Sequence, residues 1–284
     1  MRGEDRDTIE RITGARVTSA SGLAGGCVGD VFKMNMSDGG TLVAKLGAPG
    51  SGLETEGWML ETLKTRSALP VPRVIHADDA LLILSFIDGD GSLNQAAQRH
   101  GAALVAGLHR NTAPKFGLER ATLIGGLHQP NPWTDTWVAF FRDQRLLFMG
   151  RDALDAGRLP ADLMRRIETF AGKIDRFIEE PARPALIHGD MWTGNVIAGR
   201  GQIAGFIDPA IYYAHPEIEL AFTTLFGTFG RAFFNRYNEI SPIAPGFFEE
   251  RRDIYNLYPL LVHVRLFGGS YVSSVDATLQ KLGF

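Results

Sequence analysis

The sequence predicts an α+β fold in two lobes, a small β-rich lobe followed by a larger, mainly helical one. Three observations carry this. Residues 30–46 alternate apolar and polar side chains around a central turn signal. The stretch "DGDGS" at 88–92 reads as a linker. Beyond it, apolar residues recur with helical period almost to the end of the chain.

Taken in order, "DVFKMNM" (30–36) sets Phe32, Met34 and Met36 against Lys33 and Asn35. "SDGG" follows as a hairpin turn, and "TLVAKLG" (41–47) sets Leu42, Ala44 and Leu46 against Val43 and Lys45. A strand-like segment also precedes Gly25-Gly26. Residues 53–66 carry a helical stripe of Leu53, Leu60 and Leu63. After "LPVP" come two more strand-like segments, "RVIHA" (73–77) and "LLILSFI" (81–87), joined by Asp78-Asp79. Residues 93–111, 133–149, 160–180, 217–238 and 247–281 are mainly helical in pattern. No internal repeat or low-complexity tract interrupts them. The expected division is an N-terminal lobe over 1–87, a hinge at 88–92 and a helical lobe over 93–284.

Composition excludes several classes of function. The chain has 284 residues, 45% hydrophobic and 21% charged, normal for a globular core. A formal net charge of -3 leaves no basic excess to neutralise phosphates, which argues against a bulk nucleic-acid binder. The start "MRGEDRDTIERI" lacks the apolar core of a signal peptide, and no apolar run is long enough to span a bilayer. The single cysteine, Cys27, has no internal partner for a disulfide, which suits a reducing compartment. The expectation is a cytoplasmic protein acting on a small molecule, with no nucleic-acid or membrane partner.

Glu56 gives a first chemical clue. At about 100° per residue it falls on the stripe of Leu53, Leu60 and Leu63, whereas Glu54 and Glu61 fall outside it. A carboxylate facing a core costs several kcal/mol unless paired, and Lys45 on the preceding strand is the natural partner. The alternative is a place at the stripe's edge with access to water. Gly25 and Gly26 lie between two strand-like segments, where backbone amides can approach a phosphate without a Cβ in the way. Glycine pairs are also ordinary turns, and this one is not a G-x-G-x-x-G pattern.

The most specific stretch is "LIHGDMWTGNVIAGRGQIAGFIDPA", residues 186–210. Two apolar runs each end in an acid, Asp190 and Asp208, with Asn195 between them. Asp190 and Asn195 have the spacing of a kinase catalytic loop, in which the Asp receives the acceptor's hydroxyl proton and the Asn holds a metal ion. Asp208 follows thirteen residues after Asn195, where kinases keep a second metal-binding acid. Mg²⁺ takes few protein oxygens and completes its shell with phosphate and water, so one carboxylate and one amide suffice. Two unrelated strand-end acids capping turns would be the plain alternative. The ordered set of glycine turn, Lys45, Glu56, Asp190, Asn195 and Asp208 favours a phosphoryl-transfer site.

These residues resemble the fructosamine/ketosamine kinases, which share a protein-kinase-like fold with the aminoglycoside phosphotransferases. The resemblance runs through nearly the whole chain. It rests on "GGC" (25–27), "FGLERATLIGGLHQPN", "FFRDQRL", "HGDMWTGN" (188–195), "IDPAIYYAHPEIELA" (207–221) and "LFGGSY". The Asp-Pro after the second acid and the Trp in the catalytic loop point to this family rather than its relatives. The residue after Cys27 departs from the family's more common Ile-Asn/Ser. The resemblance implies a five-stranded antiparallel sheet with one helix, and ATP bound between the lobes with Mg²⁺. It implies Asp190 as base, Asn195 and Asp208 as metal ligands, Lys45 with Glu56 at the phosphates, and Ser85, Phe86 and Ile87 as a hinge against adenine. Glu219 matches a position that braces the catalytic loop. The implied acceptor is the third hydroxyl of a ketosamine, and the implied role is deglycation.

Other residues stay open at this level. Trp192, between base and metal ligand, can pack on a sugar ring or wedge the loop. Tyr212, Tyr213 and His215 can line a sugar pocket or pack in the core. His109, on a helical stripe, reads as structural, and Tyr255, Tyr258 and His263 as core or pocket wall. Two rival functions remain. The first is a kinase for aminoglycosides, choline or a sugar. Residues 242–284 hold four acids against four bases, without the acidic surplus that a polycation needs. The second is an inactive nucleotide-binding module, which the complete catalytic set disfavours.

Overall fold

A helix absent from the sequence reading comes first. α1 (Gly3–Thr13) has a strongly charged sequence in which Ile9 is the one fully buried residue, so periodicity gave little sign of it. Its ends explain it better. The Asp5 carboxylate accepts the Arg2 amide at 3.0 Å, and Glu10 accepts the amide of Val17 at 2.8 Å, tying the helix to the first strand. The computed structural model describes residues 1–23 and 29–284.

The N-terminal sheet has five strands: β1 (Val17–Gly22), β2 (Asp30–Met36), β3 (Thr41–Leu46), β4 (Val74–Ala77) and β5 (Leu81–Ser85). They lie in the order β1-β2-β3-β5-β4, every pair antiparallel. The β2–β3 hairpin turns at 37–40, where Asp38 accepts the Gly40 amide at 2.9 Å. Period-2 alternation then gives the sheet two apolar faces. Met34, Met36, Ala44 and Ile83 pack with Ile9 and Val17 on one side. Leu82 and Leu84 pack with Leu53 and Leu60 of α2 (Leu53–Arg66) on the other. The adjoining face of α2 carries Met59 and Leu63 into the core of the helical lobe.

The second part of the chain opens with α3 (Gln95–Leu108), capped by the Asn94 side chain on the Ala97 amide at 3.0 Å. A two-stranded hairpin, β6 (Thr122–Ile124) and β7 (Leu127–Gln129), follows where no strands were expected. α4 (Trp137–Phe141) runs through wide π-type turns at 142–147 into α5 (Phe148–Asp155), and α6 (Ala161–Ala171) comes next. Short strands then alternate with loops: β8 (Ala185–Ile187), β9 (Val196–Gly199), β10 (Gln202–Phe206) and β11 (Tyr212–Ala214). β8 pairs with β11, and β9 with β10. α7 (Pro216–Leu225), α8 (Arg231–Ile240), α9 (Arg252–Phe267) and α10 (Ser270–Lys281) complete the lobe.

Two expected helices are each divided. The 217–238 run breaks between α7 and α8 at Gly227 (φ 65°), and the 247–281 run breaks at Gly268 and Gly269 (φ 63° and 61°). Apolar residues on both sides of each break kept the helical period continuous in the sequence and hid the turn.

Candidate active site

A cavity of about 400 Å³ lies between the sheet and the helical lobe. Val31, Val43, Lys45 and Leu84 of the sheet form one wall, Ser85, Phe86 and Ile87 the back, and Asp190, Asn195, Ile197, Ile207 and Asp208 the floor. Glu56 and Trp192 complete the set brought together by the fold. Gly25, Gly26 and Cys27, the proposed phosphate turn and its cysteine, lie outside the described residues.

The catalytic loop owes its shape to a few local constraints. After β8, Gly189 takes φ 87°, and a Cβ there would stand 2.1 Å from the Ala210 carbonyl oxygen. Only glycine lets the chain pass so close to that backbone. The Ala210 amide donates to the His188 carbonyl at 2.8 Å, fixing the two acid-bearing segments side by side. A tight turn at 193–195 brings Asn195 back under Asp190. Its Nδ2 donates to the Asp190 carbonyl at 2.8 Å and to Asp190 Oδ2 at 3.0 Å. The Ile207 amide donates to the Asn195 carbonyl at 3.0 Å, which delivers Asp208 to the same floor. Asp208 has φ 53°, a left-handed conformation that aspartate tolerates better than most residues.

Lys45 reaches across from β3. Its Nζ lies 2.7 Å from Glu56 Oε1 and 2.5 Å from Asp208 Oδ1. The Glu56 side chain is 13% exposed, so the paired alternative holds and the water-facing one does not. Burial alone would push the Lys45 ammonium down, but the two carboxylates outweigh it and hold it above its ordinary value. Burial, with Asp208 close by, pushes Glu56 up to about 7 despite Lys45. Burial and then the charge of Asp208 push Asp190 up to about 8. A cation bound on this floor would favour the charged forms of all three acids.

Behind the loop, Glu219 of α7 is fully buried and accepts the Gly189 amide at 2.8 Å. Its other oxygen accepts from His109 Nε2 at 3.0 Å, and His109 Nδ1 meets the Tyr237 hydroxyl at 2.7 Å. Burial alone would raise Glu219, but the His109 hydrogen bond leads the effects that hold it below the usual carboxylate range. His109 is therefore structural, as its stripe position suggested.

The aromatic expectations divide. Trp192 is 40% exposed on the cleft wall, its ring edge-to-face with Phe226 at 6.1 Å. Tyr212 and His215 are not brought to the cleft and are corrected to packing roles. β11 turns Tyr212 inward, 1% exposed, with the Arg145 guanidinium 3.8 Å from its ring centre. His215 caps α7 by accepting the Glu217 amide on Nδ1 at 3.1 Å, with Trp137 and Tyr255 rings against it. Tyr255 and Tyr258 belong to the core. His263 stands partly buried against Phe226, ring centres 4.9 Å apart.

Sequence reasoning missed the β6–β7 hairpin, whose Leu123, Gly125 and Gly126 line the same cavity. The signal was present as Gly-Gly between apolar residues, a two-residue hairpin turn. Both glycines have positive φ, 55° and 82°.

Comparison with known proteins gives the family and the fold. A family model described as fructosamine kinase matches residues 4–283. A probable ketoamine kinase of Synechocystis is 34% identical over 236 residues, covering 80% of this chain and 77% of its own. The chloroplastic protein-ribulosamine 3-kinase of Arabidopsis thaliana is 30% identical over 277 residues, covering 93% and 82%. A solved structure of a candidate fructosamine-3-kinase from Thermobifida fusca superposes with TM-score 0.85 at 30% identity, covering 97% and 98%. A gentamicin complex of an aminoglycoside phosphotransferase, at TM-score 0.68 and 15% identity, shares the fold.

Proposed function

Because the chain belongs to the fructosamine kinase family, whose members are ATP-dependent kinases, we propose that it phosphorylates the 3-hydroxyl of ketosamines. The observation that carries this reading is the convergence of Lys45, Glu56, Asp190, Asn195 and Asp208 on one cleft, with Trp192 beside the base. The working division is a nucleotide lobe over 1–87, a hinge at 88–92 and a catalytic lobe over 93–284.

In this reading Asp190 accepts the hydroxyl proton as the acceptor attacks the γ-phosphorus. Asn195 holds the carboxylate in place through Oδ2 and leaves Oδ1 to the hydroxyl. Lys45 contacts phosphate oxygens and is positioned by Glu56. The Ser85–Ile87 segment takes the adenine. Mg²⁺ fits the floor: Asp208 offers a carboxylate, and Asn195, engaged through Nδ2, offers Oδ1. Among the described residues no three His, Cys, Asp or Glu side chains form a metal cage, which suits a metal shared with phosphate. When bound there it would supply charge neutralisation for the phosphates. Trp192 presents an aromatic face to the sugar. No helix among the described residues is long and apolar enough to cross a membrane, and a cytoplasmic location belongs to the same proposal.

A substrate panel tests it. Fructosamines, ribulosamines and erythrulosamines should be phosphorylated with far higher kcat/KM than a 3-deoxy analogue, choline or kanamycin, because a missing hydroxyl leaves site groups unpaired. Asp190→Asn should retain nucleotide binding and lose about 10²-fold or more in kcat. Efficient kanamycin turnover with no transfer to any ketosamine would reassign the acceptor.

A further inference from the structure

We propose that the turn between β6 and β7 is the wall that sets acceptor specificity, facing the part of a ketosamine that carries the amine substituent. This rests on the ketosamine reading above.

The hairpin is placed by contacts at both ends of its turn. A Cβ on Gly52, just before α2, would stand 2.1 Å from Leu123 Cδ1, so that glycine leaves room for the leucine. On the other side, a Cβ on Gly125 would stand 3.0 Å from Leu266 Cδ1, near the end of α9. Gly52 precedes Glu56 by one helical turn, so the turn stands at the Lys45–Glu56 end of the cavity, away from the Ser85–Ile87 segment. Trp192 reaches the same end of α9 by another route, through Phe226 to His263 at 6.1 and 4.9 Å between ring centres. Trp192 and the turn are therefore two walls rising from one helix end beside Asp190 and Pro209.

The base of the hairpin is held rigidly to the acid-bearing segment. Gln129 Nε2 donates to the Ala210 carbonyl at 3.1 Å and to Thr122 Oγ1 at 2.7 Å. Tyr258 donates to Gln129 Oε1 at 2.6 Å, and Asn131 Nδ2 donates to Thr122 Oγ1 at 2.8 Å. Ala210 lies two residues past Asp208, so the turn keeps a fixed relation to the chemistry. The two glycines put no side chain into the cavity, and Leu123 gives an apolar, uncharged surface. Such a wall selects by size and by lack of charge, which suits an alkyl amine carrier.

Two variants test this, using a fructosamine of a small primary amine and the same sugar on a lysine-containing peptide. Asparagine tolerates positive φ better than most residues, so Gly126→Asn adds bulk at low cost to the turn. It should lower kcat/KM for the peptide-borne acceptor about tenfold relative to the small one, with KM for ATP little changed. Leu123→Ala widens the wall and should move the same ratio in the opposite direction. If neither variant shifts the ratio, or if ATP and both acceptors change in step, the hairpin is not the specificity wall. A wild-type enzyme that phosphorylates neither ketosamine overturns the functional reading, and this assignment with it.

Discussion

His215 lies seven residues beyond Asp208 yet takes no place in the cleft. Its ring is packed beneath Trp137 and Tyr255 and caps α7. Burial pushes its pKa down to about 3, with Arg251 adding to the effect. A free histidine titrates near 6.5, so below that pH the unfolded chain takes up a proton that the folded chain refuses. The contribution of His215 is complete above about pH 6.5 and is lost as pH falls toward 3, amounting to about 2 kcal/mol by pH 5. His215→Asn, which keeps a capping side chain, should flatten the fall in Tm between pH 7.5 and 5 relative to wild type. Parallel curves would show that other groups govern acid sensitivity. The same residues show what single positions reveal. Lys45, Glu56, Asp190, Asn195 and Asp208 were legible because their chemistry is costly anywhere but in a site. Tyr212 was not, because distance along the chain from Asp208 does not say which face of a three-residue strand points inward.

At the level of elements, the catalytic loop is supported from behind by three helices. Tyr237 of α8, His109 at the end of α3 and Glu219 of α7 form one chain of hydrogen bonds ending on the Gly189 amide. Removing its middle member takes from the buried Glu219 carboxylate and the Tyr237 hydroxyl the partner they share, leaving Glu219 only the Gly189 amide. His109→Leu should therefore cost about 3 kcal/mol in urea unfolding and lower kcat more than it raises KM for ATP. A stable variant with full kcat would reduce the chain to packing. Helix α2 was read at its true ends because its stripe is regular and loops bound it. The β6–β7 hairpin was missed because three residues per strand carry almost no periodicity. The breaks after α7 and α9 were missed because apolar residues flank the glycines on both sides.

Across the whole molecule, Lys45, Glu56 and Asp208 come from a strand, a helix and a loop in two different lobes, so a ligand at this point senses their relative placement. A non-hydrolysable ATP analogue should raise Tm, by about 2.7 kcal/mol of added stability at a hundredfold excess over Kd. Mg²⁺ should enlarge that shift, and Asp208→Asn should remove the Mg²⁺-dependent part while leaving the rest. A shift in wild type that is indifferent to Mg²⁺ would count against Asn195 and Asp208 as its ligands. The two-lobed architecture was legible from three patterns because each spans many residues. The cleft's acceptor end was not, because it is assembled from a short hairpin and helix ends far apart in sequence.

Helix α2 enters the sheet's core through Leu53 and Leu60 and the helical lobe's core through Met59 and Leu63, on adjoining faces. Held in both cores, it cannot open with either lobe alone. Its central amides should therefore exchange with deuterium only through openings that disrupt both cores, more slowly than those of the outer strand β1. A chain cut at the linker would leave each fragment with an unmatched half of that helix's contact surface.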